Sequence, residues 1–263
     1  MVDAADAIGK ARMAVTERAE LPGMSLMEHL EELRKRIVHS AIYIAAGFVV
    51  CWLFHDRLVN FLQAPLNHIN KSLVFTHPMD ALNLDLQVAF LGGAIIASPL
   101  VLYQVWLFIA PGLYQKERRF AVPFMAATIA LFMAGAAFGY FFVLPGAMEI
   151  LVVKMGHNFT PMITIEDYSS FFLSIILGLG ISFELPILIF FLAMFGIVSP
   201  RFLFKNIRYA VLAVFVVAGV ICPSPDPWTM CVYAVPMLSL YLIGIAVAWW
   251  VHPSRRKAKE ATR

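Results

Sequence analysis

The chain has 263 residues; 61% are hydrophobic, only 14% are charged, and the formal net charge is +3. Soluble domains run about 45–50% apolar and about 25% charged, so a soluble globular protein is excluded. Three Cys, and 15 Gly and 15 Pro without a period, also exclude a disulfide scaffold and collagen. A polytopic membrane protein remains. Its long, continuous apolar runs point to roughly five to seven helices, not to the ~10-residue alternating segments of a barrel.

The first 36 residues are charged throughout and hold no short apolar stretch followed by small residues. No cleavable signal peptide is expected, and the first apolar run reads as an uncleaved anchor. Ser25-Leu26-Met27-Glu28 fits the capping box that opens a helix. Leu26, Leu30, Leu33 and Ile37 then recur at helical spacing, so an amphipathic helix leads into the first span. Residues 1–24 are expected to be a flexible tail, dispensable or bypassed by a start at Met24. Another reading is a membrane-surface helix, because Ile8, Met13 and Val15 are scattered among charges.

Six apolar stretches follow, near Ile37–Phe54, Ala81–Leu107, Val122–Leu151, Tyr168–Phe195, Tyr209–Cys222 and Trp228–Val251. At 1.5 Å per residue the fifth gives only about 21 Å, against a hydrocarbon core of about 30 Å. A partner is expected to cover it, or the bilayer to thin there. Pro99, Pro145, Pro186 and Pro236 interrupt four of the runs and are expected to kink them into a curved wall. Gly139-Tyr-Phe-Phe-Val-Leu-Pro145 and Gly180-Ile-Ser-Phe-Glu-Leu-Pro186 share the pattern G-x-x-F-x-L-P, by chance or as a trace of an inverted repeat. Cys51, Cys222 and Cys231 read as small buried hydrophobes, with a redox pair of Cys222 and Cys231 as the other possibility.

Orientation follows from Lys and Arg. Seventeen of the twenty lie in the N-tail, the second and fourth loops and the C-tail. That side is expected to be cytoplasmic, with both termini inside. Its basic surplus suits anionic headgroups. Residues 25–251 are expected to form one six-helix domain and residues 252–263 a basic cytoplasmic tail.

No nucleophile elbow, zinc-protease motif or Gly-rich phosphate loop is present, so neither an enzyme nor a cofactor or metal is expected. Nucleic acid is not expected as a partner either. Glu184 is the one carboxylate deep inside an apolar run, since Asp85 and Glu149 lie near the outer ends of theirs. A central acidic residue costs about 2.5–3.5 kcal/mol to insert, so it must face protein, water or a partner helix. A packing hydrogen bond to Ser174 or Ser182 is the structural alternative. On the cytoplasmic side, Glu32 lies on the N-terminal helix and Glu117 in the loop after the second span. Glu31/Lys35 and Glu32/Arg36 are helical i,i+4 pairs. By spacing alone these are ordinary solvated charges.

Three segments change that reading: Leu30-Glu-Glu-Leu-Arg-Lys-Arg36, Gln104-Val-Trp-Leu-Phe-Ile-Ala-Pro-Gly-Leu-Tyr-Gln-Lys-Glu-Arg-Arg119, and Gly180-Ile-Ser-Phe-Glu-Leu-Pro186. In order, spacing and orientation they resemble the TatC family, the six-span receptor core of the twin-arginine protein translocase. Ala64-Pro65-Leu66 and Pro225-Asp226 resemble its outer loops. Residues 1–23 are longer than the family pattern, and Gly112 stands where Ala is common.

The resemblance implies an all-α inner-membrane receptor for twin-Arg signal peptides that assembles with TatA, TatB and further copies of itself to export folded proteins on the proton-motive force. It assigns Glu32 and Glu117 to the arginines, with Arg34, Phe108, Pro111 and Leu113 in the same region. It links Glu184 to partner contact in the bilayer, and matches Pro65, Arg118 and Asp226 to further family positions. A proton-coupled transporter of a small solute, using Glu184, is the rival from another class.

Overall fold

The structure is a computed structural model that describes residues 26–67, 72–109, 121–156, 160–194, 196–221 and 227–251. Helix α1, Leu26–Trp52, carries the amphipathic start and the first apolar run without a break. Glu28 sits in its first turn, where a negative charge suits the helix N-terminus; Ser25, the expected cap, lies outside the described residues.

A second helix, α2 (His55–Asn67), fills the first loop, where no helix was expected. Its signal is present in the sequence: Leu58, Leu62 and Leu66 recur every four residues. Leu62 and Leu66 are fully buried, and Leu58 packs against the same core. The helix includes Pro65, which is buried.

Helix α3 spans Asp80–Ile109 and α4 spans Ala121–Phe138. The third span then departs from α geometry. Gly139–Val143 is π-helical, Leu144–Met148 (α5) returns to α, and Glu149–Met155 is π-helical again. Helix α6 (Ile165–Ser182) is capped by Thr164, whose hydroxyl oxygen accepts the Asp167 N–H at 3.1 Å. Helix α7 (Leu185–Met194) follows after a two-residue break. Helices α8 (Pro200–Lys205), α9 (Ile207–Ile221) and α10 (Pro227–Val251) complete the order. One two-residue parallel pairing, β1 (Leu73–Val74) with β2 (Ile163–Thr164), ties the segment before α3 to the start of α6.

Five stretches are long and apolar enough to cross a membrane: Met27–Trp52, Asp80–Phe108, Val122–Lys154, Ile165–Met194 and Pro227–Trp250. A sixth, Ile207–Val220, is apolar but shorter. Helix α1 packs on α3; α3, α4 and α6 pack against one another; and α10 packs on α6, α7 and α9. Large side chains such as Val220, Trp250, Phe141 and Phe142 face outward, as lipid-facing positions do.

The prolines do not act alike. Pro99 and Pro236 lie inside helices that run on through them. Pro145 and Pro186, the two that end the G-x-x-F-x-L-P pattern, sit where α geometry gives way. At Pro186 the cause is local. A proline ring clashes with the carbonyl four residues back, here Ser182, and supplies no N–H. Ser182 also turns its hydroxyl onto the Gly178 carbonyl at 2.5 Å, a bond that bends helices. The run Tyr168–Phe195, expected to kink at Pro186, is therefore divided into two helices.

The main core joins α2, α3, the π-helical third span and α6 around Leu62, Leu66, Leu144, Tyr168, Ile175 and Leu179, none more than 2% exposed. Inside lipid such a core gains little from water release and is held by close packing and internal hydrogen bonds. Tyr168 donates to the Leu62 carbonyl at 2.8 Å and Tyr140 to the Phe61 carbonyl at 2.9 Å, which clamps α2 onto the spans.

Candidate functional site: a polar seam between the first two spans

Helix α1 presents His29, Glu32, Arg36 and Tyr43 along one face, at offsets of three, seven and fourteen residues that fit a 3.6-residue repeat. Helix α3 answers with Gln104 and Phe108, four residues apart and hence on one face. The Phe108 ring stacks on His29 with centroids 4.4 Å apart and planes at 24°.

One turn further in, Arg36 bridges the helices. Its Nη2 donates to Glu32 Oε1 at 3.1 Å and its Nη1 to Gln104 Oε1 at 3.0 Å. Gln104 in turn donates to the Tyr43 hydroxyl at 3.4 Å. Gln104 is 4% exposed within an apolar helix. A buried amide left unpaired costs about 1–3 kcal/mol, so these bonds are the condition for its presence there.

The Glu32 and Arg36 side chains are 15% and 24% exposed. Glu32 is thus not the solvated charge that spacing alone suggested. Glu32 Oε2 and Arg36 Nε are buried and lack a hydrogen-bond partner among the described residues. A shallow groove of about 310 Å³ opens beside them, lined by Glu28, Glu31, Glu32, Lys35 and Arg36. An under-coordinated carboxylate at a groove is a place where a planar multi-donor cation can bind.

The other expected site residues divide. Arg34 is exposed; two positions from Glu32, it lies about 200° around the helix and so points away from the seam. Pro65 sits in α2, after the far end of α1, and has no part in the seam. Pro111, Leu113, Glu117, Arg118 and Asp226 lie outside the described residues. Sequence reasoning paired Arg36 with Glu32 by helical spacing, a pair the structure contains, but it assigned no role to His29, Tyr43 or Gln104. Gln104 could have been found, because a lone amide in an apolar run needs partners.

Glu184 lies at the break between α6 and α7. Its N–H donates to the Ile181 carbonyl at 3.0 Å, and its own carbonyl accepts from Leu188 at 2.9 Å. Its carboxylate Oε1 is buried without a hydrogen-bond partner among the described residues, although the residue is partly exposed. The Ser182 hydroxyl is spent on Gly178, so the packing bond to Ser182 is not made.

At the far side, His77, Asp80 and Glu166 bring three ligand-type atoms within 4.8 Å of one another. Asp80 is already engaged as a turn cap, accepting from the N–H groups of Thr76 and His77 at 2.8 Å each.

Comparison with known proteins bears on the whole chain. The family model described as Sec-independent protein translocase protein (TatC) matches residues 28–236. The chain is similar to the Sec-independent protein translocase protein TatC of Koribacter versatilis (strain Ellin345), with 51% identity over 97% of this chain and 96% of the relative. The protein of the same name from Carboxydothermus hydrogenoformans is 39% identical, covering 88% of this chain and 95% of the relative. Among solved structures, the twin arginine translocase receptor TatC superposes with a TM-score of 0.78 at 34% identity, over 85% of this chain and 99% of the other.

Proposed function

This chain belongs to the TatC family of Sec-independent protein translocase proteins, and from that premise we propose that it is a membrane receptor whose seam between α1 and α3 binds twin-arginine signal peptides. The observation that carries the reading is Glu32: a mostly buried carboxylate with one unsatisfied oxygen, on the wall of an open groove. A guanidinium fork can pair with such a group, and charge-assisted hydrogen bonds contribute about 1.5–3 kcal/mol each. Glu117, eight residues after the last described residue of α3, supplies the second carboxylate, so that two adjacent arginines meet two acids. Phe108 offers an aromatic wall beside them, with Pro111 and Leu113 following it in sequence. Arg34, exposed on the opposite face of α1, serves the surrounding surface instead.

Glu184 has a different role. An ionisable group at a helix break inside a span, with an unpartnered oxygen, suits a polar residue on a neighbouring single-span helix. TatA-type and TatB-type partners dock there and against the short Ile207–Val220 helix, which is too short to cross alone. In this reading the chain crosses the inner membrane six times with both termini and the seam on the cytoplasmic side, which is supported by the seventeen of twenty basic residues in the two tails and the second and fourth loops. The protein exports folded cargo with its partners and catalyses no bond chemistry. The rival reading, a proton-coupled solute carrier, is set aside by the family match.

The test is site-specific photocross-linking in membranes. A probe at Glu28, on the groove, should capture a twin-Arg precursor, and a probe at Leu188, one turn past Glu184, should capture the single-span partners. Capture of the precursor at position 188 and not at position 28 would refute the assignment.

A further inference from the structure

Arg36 already occupies the carboxylate that the receptor reading gives to the ligand. The contact is single-armed. Only Nη2 meets Glu32, through Oε1, because Nη1 is held by Gln104 on the neighbouring helix. Side-on pairing would use two nitrogens and both oxygens. Here Glu32 Oε2 and Arg36 Nε remain buried and without a hydrogen-bond partner among the described residues. Gln104 therefore draws the guanidinium out of register and leaves the pair half made.

We propose that Arg36 is a resident guanidinium latch on Glu32, which an incoming arginine displaces, so that the latch lowers the receptor's apparent affinity for every cationic ligand. This rests on the reading of Glu32 as part of the arginine site. When Arg36 leaves Glu32, it keeps its bond to Gln104, and Glu32 is free to take a side-on fork. The ligand exchanges a one-armed contact for a two-armed one and satisfies the orphaned oxygen. A site closed part of the time binds with its intrinsic affinity scaled by the open fraction. Weak cationic segments then fail to occupy the groove at ordinary concentrations, while a ligand with several contacts still does. Gln104 has the opposite effect to Arg36: it holds the latch ajar.

The two residues therefore predict opposite signs. In the full-length protein in lipid nanodiscs, binding of a fluorescent twin-Arg peptide is measured by anisotropy. Arg36→Met removes the latch and should tighten binding about three- to tenfold. Gln104→Leu lets Arg36 close fully and should weaken binding by a similar factor. The gain from Arg36→Met should vanish in a Glu32→Gln background, because it passes through that carboxylate. If Arg36 instead orients Glu32, Arg36→Met binds more weakly or unchanged, and the latch is refuted. Should Arg36→Met fail to fold, Arg36→Gln is read in the same way. Wild-type affinity in Glu32→Gln alone would sink the receptor reading itself, whereas loss in Glu32→Gln with no gain in Arg36→Met sinks only the latch.

Discussion

Gly47 and Gly93 meet backbone to backbone: a Cβ placed on Gly47 would lie 2.6 Å from the Gly93 carbonyl oxygen. Here the backbones of α1 and α3 cross in contact. Arg36 lies eleven residues before Gly47, and Gln104 eleven residues after Gly93. At 1.5 Å per residue both are about 16 Å from the crossing, which is why they meet. The crossing is the hinge pin of the seam.

Substituting Gly47 or Gly93 by Val should force the helices apart. Overpacking of this kind costs about 1–3 kcal/mol, so the melting temperature in detergent should fall. Binding of a twin-Arg peptide should fall with it, although neither glycine is in the groove. Unchanged binding in a Gly93→Val protein that melts early would show that the seam does not depend on the crossing.

The two acids should be needed together. Glu32→Lys and Glu117→Lys should each reduce cross-linking to a twin-Arg precursor at least tenfold, the loss expected when a charge-assisted bond of about 1.5–3 kcal/mol is replaced by repulsion. Membrane insertion and melting temperature of the Glu117 variant should be unaffected. Equal cross-linking in either variant would remove that residue from the site.

Glu184 should separate partner binding from peptide binding. Glu184→Ala should weaken co-purification of the single-span partners several-fold while leaving peptide affinity in place. Glu184→Gln, which keeps hydrogen-bonding atoms, should fall between. Loss of peptide binding with intact partners would mark Glu184 as a structural residue of the α6–α7 break.

Tyr168 tests the clamp on α2. Its hydroxyl is buried against the Leu62 carbonyl, so Tyr168→Phe removes a buried hydrogen bond that no water can replace and should cost about 0.5–1.5 kcal/mol. Tyr140 makes a similar bond to Phe61 at an exposed position, where water can replace it. Tyr140→Phe should therefore shift the melting temperature much less. Equal shifts would show that the bond's burial is not what matters.

Much of this molecule is written in its amino-acid order. The apolar runs are long because each membrane-crossing helix must satisfy its own backbone in lipid, so their number and rough limits are legible without any partner in space. The clustering of Lys and Arg and the lone Glu184 carry the expected orientation and the candidate partner site in the same way. Other features arise only when helices meet. The i,i+4 spacing alone pairs Glu32 with Arg36, but nothing local shows that this pair, and not Glu31 with Lys35, comes under the control of Gln104, sixty-eight residues from Arg36. That choice depends on which face α1 turns to α3, and the face is set by two glycines that let the backbones touch. The break at Glu184 is intermediate: Pro186 makes it possible, but a proline alone does not decide, since helices α3 and α10 continue through Pro99 and Pro236. Local chemistry fixes which segments are helices, and packing between them determines which polar atoms find partners and which stay open for a ligand.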